Sequence, residues 1–170
     1  GDLSVFDGVK LRLPDVGFDT VWSVDLGGRV VEMHWFGPGM SPHDSVVYLP
    51  KEKIAWTANL LFGADTIPWA RSGGVADYRA TLRKMADTIS PNTIVSGHGR
   101  IASGKAIHRY VSYLDDILEQ ARQAALSNTT GDDFSANAII DPKYVIEPEL
   151  ETLMTGFHRW NLQAAYRESR

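Results

Sequence analysis

The sequence predicts an α+β fold with strands first and helices last. Between Lys10 and Ala58 the apolar residues fall in short runs punctuated by Gly and Pro, the pattern of strands and turns. From Val75 onward they recur every three or four residues, the spacing of amphipathic helices. Strands and helices do not alternate regularly along the chain, which argues against a doubly wound parallel fold.

In chain order, Lys10 to Leu13 reads as a short extended piece closed by Pro14-Asp15. Val21 to Leu26 and Arg29 to Phe36 flank Gly27-Gly28, a hairpin signal. After the Gly/Pro-rich loop 37–44, Ser45 to Leu49 and Ile54 to Ala58 flank Pro50 to Lys53 as a second hairpin. A helix follows from about Val75 to Ile89, with Tyr78, Leu82, Met85 and Ile89 on one face, and Ser90-Pro91 ends it. Thr93-Ile94-Val95 is a short buried strand running into Ser96-Gly97-His98-Gly99. Ala106 to Leu126 is a long amphipathic helix, Ser127 to Gly131 a loop, and about 148–170 a terminal helix with Pro148 in its first turn. The helices can cover only one face of so apolar a sheet.

The bulk numbers narrow the class. A chain of 170 residues with 44% hydrophobic residues suits one soluble domain, 1–170. Its formal net charge of −4 comes without a Lys/Arg stripe, which argues against nucleic acid as the main partner. No apolar run approaches the roughly 20 residues of a membrane helix. No signal peptide is visible at Gly1-Asp2-Leu3-Ser4, so cytoplasmic and exported locations both stay open. The absence of cysteine removes disulfides, thiolate zinc ligands and thiol nucleophiles.

His98 is the leading functional candidate. An imidazole between two glycines, directly after a buried strand, sits where backbone can approach a ligand and where a rigid element supports a loop. A neutral imidazole there suits a metal ligand or a general base. A turn histidine bonded to backbone is the plain alternative.

A set of further segments occurs in order around it: Leu13-Pro14-Asp15, Gly17-Phe18-Asp19, Leu26-Gly27-Gly28-Arg29, Gly37-Pro38-Gly39, Asp44 to Pro50, Leu60-Leu61-Phe62, Ile67-Pro68 and Ser96 to Gly99. The tail adds Phe157-His158-Arg159, Asn161 and Tyr166-Arg167-Glu168. Over roughly residues 11–170 the chain resembles the C-terminal half of a metallo-β-lactamase-fold hydrolase. The resemblance implies an αββα sandwich, with this chain supplying a mostly antiparallel sheet and helices on one face. It also implies one or two zinc ions at a sheet edge, acting on a small-molecule substrate.

Carried over residue by residue, the ligand set is thin. His98 matches the last metal ligand. Met40, in Gly39-Met40-Ser41, stands where the family has a ligand histidine, and Asn59, in Thr57-Ala58-Asn59, where it has a bridging aspartate. The family's His-x-His-x-Asp-His motif is absent. A thioether is a poor zinc ligand, better suited to Cu(I), and an amide lacks the charge that offsets two dications. Such a set falls short of the three or four good ligands a zinc site takes. His43, three residues after Met40, reaches the site only if its loop folds back; otherwise Ser41 to Asp44 is an exposed turn.

Other residues read more plainly. His34 faces solvent or packs, and His108 and His158 lie at the surface or the core edge. Trp56, Trp69 and Tyr78 read as core, although Trp69 follows Ile67-Pro68 in a loop that borders the pocket in this family.

The implied partner is the N-terminal half of the fold, in the same protein or a separate chain, with self-association next. Two functions follow: part of a zinc-dependent hydrolase whose site is incomplete in this chain, or a non-catalytic pseudoenzyme used for binding or assembly.

Overall fold

A computed structural model describes residues 6–72, 74–136, 138–144 and 146–170. Among them one sheet follows chain order: β1 (Val21–Asp25), β2 (Val30–His34), β3 (Val46–Leu49), β4 (Ile54–Ala58), β5 (Thr93–Ser96) and β6 (Ala102–Ser103). Every neighbouring pair is antiparallel except β4 and β5, which run parallel. Both predicted hairpins are present. At the first, Gly27 and Gly28 take positive φ and both donate their N–H to Asp25 Oδ1, at 2.9 and 2.7 Å. A turn closed this way leaves little choice of register.

The helices are α1 (Val75–Thr88), α2 (Lys105–Leu126), α3 (Gly131–Ala136) and α4 (Glu151–Glu168), with a 3-10 turn, Pro148–Leu150, leading into α4. The predicted face of α1 is buried: Val75, Tyr78, Leu82 and Met85. On α2 the buried set is Ile107, Tyr110, Leu114, Ile117 and Ala121, with Tyr113 also enclosed. These side chains share one core with Val46, Tyr48, Ala55 and Ile94 of the sheet. None of the helices among the described residues is long and apolar enough to cross a membrane.

Directly opposed residues in a sheet share a face. The row Glu32–Tyr48–Ala55–Ile94–Ala102 runs along the helix side. The alternate row is Trp22–Met33–Val47–Trp56–Val95. It is apolar in all five strands and only partly buried, so helices cover one face, as expected. On the other, Pro14, Val16 and Phe18 approach Trp22 and Met33 around a cleft of about 310 Å³.

Several expectations need correction. Lys10 to Leu13 forms no strand and lies exposed, with no neighbouring ladder to satisfy its backbone. Trp56 is not core: it stands on the open face at 39% exposure. His158 is fully buried, beyond the core edge. For His34 one of the two stated alternatives holds: it packs, at 6% exposure, stacked on Phe36 and bonded to Glu32 at 2.8 Å. Neither β6 nor α3 was foreseen. β6 is too short for periodicity, but α3 carries a readable cap: Thr130 Oγ1 accepts from the Asp133 N–H and donates to its carboxylate.

Candidate functional site

Sheet direction decides which loops meet. Because β4 and β5 are parallel and β2 is antiparallel to β3, the loops after β2, β4 and β5 leave one edge. Met40, Asn59 and His98 lie on these loops, and Trp69 lies between β4 and α1.

The β4 and β5 exits are locked together. Gly97 donates to the Ala58 carbonyl at 2.7 Å and His98 to that of Phe62 at 2.8 Å. Gly97 is required here by space, since a Cβ would run into Asn59 Oδ1 and the Ala58 carbonyl. Gly99 has a φ of +68°, a conformation glycine adopts without strain. Ala58 also takes positive φ, where the ladder slips between Trp56 and Ala58. The Gly97 flank of His98 therefore serves close packing of the two loops, and the Gly99 flank serves a left-handed turn.

The Met40 loop meets the same junction from the other side. Gly39 packs against Leu60, and a side chain there would strike Leu60 Cδ1. Asp44 closes the loop by accepting from the Ser41 N–H and hydroxyl, both at 2.8 Å. Tyr78 donates to the Leu60 carbonyl at 2.7 Å. Burial pushes its phenol well above the ordinary value of 10.0, with Tyr110 and the Asp44 carboxylate adding to the rise. It works here as a neutral donor.

His98 is exposed, and its ring stacks on Phe62 with centroids 4.2 Å apart. Phe62 meets Phe157 edge-on, and Phe157 stacks on Trp69 at 4.6 Å and 7°. Trp69 is half-buried in this aromatic run, which joins the core side of the loop to its surface. His43 faces elsewhere: it lines a cleft with Phe18, Asp19, Thr20, Trp35 and Ser45. The structure thus brings Met40, Asn59, His98 and Trp69 to one edge and sets His43 at another cleft.

The zinc implied by the resemblance does not fit the residues of this chain by themselves. Among the described residues, no three His, Cys, Asp or Glu side chains gather as a metal site. At the edge itself stand one imidazole, one amide and one thioether, which are too few good donors.

Residues passed over as mere resemblance prove to build the edge. Asn161 of α4 clasps the 68–70 loop: its amide donates to the Pro68 carbonyl at 2.7 Å, and its oxygen accepts from the Ala70 N–H at 2.8 Å. Glu168 caps α1 from outside, accepting from the Val75 and Ala76 N–H groups at 2.6 and 2.9 Å. Phe62, which orients the His98 ring, was quoted only as part of a motif.

No protein-family model matches the sequence, and no curated protein matches it. Solved structures do. A metallo-β-lactamase from Pontibacter korlensis aligns at a TM-score of 0.54 and 22% identity, over 66% of this chain and 54% of that one. TMB-1 aligns at 0.54 and 16%, over 67% and 52%. FIM-1 from Pseudomonas aeruginosa, solved in a mono-zinc form, aligns at 0.50 and 19%, over 60% and 46%. The chain spans about half the length of these structures. At such identities the likeness is one of fold: the chain has the fold of the C-terminal half of a metallo-β-lactamase.

Proposed function

We propose that this chain is the C-terminal half of a hydrolase-like protein of the metallo-β-lactamase superfamily, with a metal centre that needs ligands beyond the residues described here. What supports the reading is the apolar row Trp22–Met33–Val47–Trp56–Val95, lying on the face opposite the helices. A sheet covered on one side only leaves such a row for a second sheet, as in any sandwich. The occupant is the N-terminal half of the fold, in the same polypeptide or a separate one; a second copy of this chain is the competing occupant.

In this reading His98 supplies one zinc ligand at an edge that takes a small-molecule substrate. Met40 and Asn59 leave the centre mononuclear or weak. A second reading, a pseudoenzyme that keeps the scaffold for binding or assembly, is favoured by those same two residues.

Metal content per chain, measured beside solution mass, separates the two. Stoichiometric zinc with a second polypeptide supports the hydrolase; a metal-free homodimer supports the pseudoenzyme. The double change Met40→His and Asn59→Asp, made with the other half present, should raise zinc binding and hydrolysis. If neither rises, these positions are not descended from metal ligands.

A further inference from the structure

α4 buries a histidine that the candidate edge does not use. His158 is 3% exposed, and its Nδ1 lies 2.8 Å from the Tyr113 hydroxyl of α2. The Tyr113 oxygen is in turn 3.1 Å from Asn161 Nδ2, the amide that clasps the 68–70 loop. Asn161 can face only one way, because its oxygen takes the Ala70 N–H and its nitrogen reaches the Pro68 carbonyl. Tyr113 must therefore accept from Asn161. Burial keeps the Tyr113 hydroxyl protonated, and among the described residues His158 Nδ1 is the acceptor left for its hydrogen. The ring is then the Nε2–H tautomer, in keeping with a bond to the backbone of Ile139.

This relay has one acceptor for each donor only while the imidazole is neutral. A proton on Nδ1 turns that acceptor into a donor. Tyr113 would then face two donors, His158 and Asn161, while its own hydrogen has no acceptor. The Tyr113 ring has little room to yield, since it is 1% exposed and meets Tyr144 edge-on. The side that can turn away is the Asn161 amide, and its turning releases Pro68 and Ala70. No nearby carboxylate offsets the new charge. On the elements around the ring, Asp116 is held by Lys143 and the Tyr144 hydroxyl, Asp141 also pairs with Lys143, and Asp132, Asp133 and Glu151 are exposed. Burial and the Ile139 backbone are what act on the imidazole.

We infer that His158 is an acid-sensitive latch on the candidate edge: its protonation breaks the Tyr113–Asn161 relay and frees the 68–70 loop that carries Trp69. The closed state binds this proton less tightly than the open one. The latch is therefore shut above the ordinary histidine range and opens as pH falls through it. The inference goes beyond the hydrolase reading, because it holds whether or not the edge carries a metal.

The test uses the whole chain without added metal. NMR follows the His158 imidazole signals and the solvent exchange of the Ala70 amide and Trp160 indole N–H, from about pH 7.5 to about pH 5. Trp160 Nε1 donates to the Ala70 carbonyl at 3.0 Å, so both groups report on the loop. After correction for intrinsic exchange, their protection should fall about tenfold or more along the His158 titration. The amides of Leu82 and Met85 in α1 should stay protected. His158→Gln has no titrating ring, so protection should stay level. Tyr113→Phe keeps the histidine and cuts the relay, so His158 still titrates but loop protection no longer follows it. Constant protection in the unaltered chain overturns the latch, as does a fall that persists in either variant. A fall shared equally by Leu82 and Met85 also overturns it, because that is global unfolding. Where a variant fails to fold, the comparison of Ala70 with Leu82 in the unaltered chain still decides.

Discussion

Asn161→Ala should cost more than its size suggests, because Asn161 is wholly buried and every polar atom of its amide is used. Truncation orphans the Ala70 N–H and the Pro68 carbonyl, and it removes a donor from the Tyr113 hydroxyl, which lies 3.1 Å from Nδ2. Each buried group left unpaired costs roughly 1–3 kcal/mol. Water entering the gap offsets part of that, so a net loss of about 3 kcal/mol is the working figure. For a chain of this length that corresponds to a thermal midpoint lower by about 6–12 °C. Circular dichroism melts provide the measurement. Tryptophan fluorescence should shift as well, since Trp69 and Trp160 hold the same loop.

Asn161→Asp sharpens the test. It keeps the shape and the acceptor for Ala70, but sets a carboxylate against the Pro68 carbonyl. The introduced acid would have a folded-state pKa above its unfolded one. Its destabilisation is therefore fully present at high pH and is relieved as pH falls through the folded value, where the protonated acid can donate to Pro68. A midpoint change below about 1 °C for Asn161→Ala, or identical pH profiles for the two variants, would refute the clamp.

Three further outcomes are expected. Glu168→Ala should lower stability by about 1 kcal/mol through loss of the α1 cap, and Glu168→Gln should lose less; equal melts for all three forms would remove the cap from the account. His158, bonded through Nδ1 to the Tyr113 hydroxyl at 2.8 Å, has a pKa below its ordinary 6.5, chiefly because it is buried, with a backbone bond to Ile139 opposing the shift. Its contribution is intact above the unfolded value and declines as pH drops toward the folded one, so urea midpoints should fall below pH 6.5 and do so less in His158→Gln. Finally, Trp56→Ser should reduce self-association of the chain in sedimentation experiments without lowering its melting temperature much; an unchanged association state would show that the open face is not the adhesive one.

Much of the fold could be read from the residues because local chemistry and global structure agree. The Gly27-Gly28 turn, the Ser90-Pro91 stop and the apolar spacing of α1 and α2 each have one structural solution. Where the reading failed, the deciding interaction was distant. Lys10 to Leu13 has a strand-like pattern but no partner strand among the described residues. Trp56 looked like core as an aromatic within an apolar run; only the sheet order reveals that its face is the open one. His158 looked marginal because a histidine on a helix usually is, and Tyr113, which holds it, lies 45 positions away.

The candidate edge was legible in a different sense. Its positions were matched through the family resemblance alone. The parallel pairing of β4 with β5 is what puts their ends together and sets Asn59 beside Gly97. The chemistry does not follow from position. The same geometry that brings Met40, Asn59 and His98 together also stacks His98 on Phe62 and leaves it short of donors. The better-built feature of the edge is the clamped loop that carries Trp69 and Arg71. Its determinants sit in α4, some 90 residues further on, and the sequence alone gave them no role. The edge thus keeps the frame of a metal centre while its most firmly organised element is a loop held from α4.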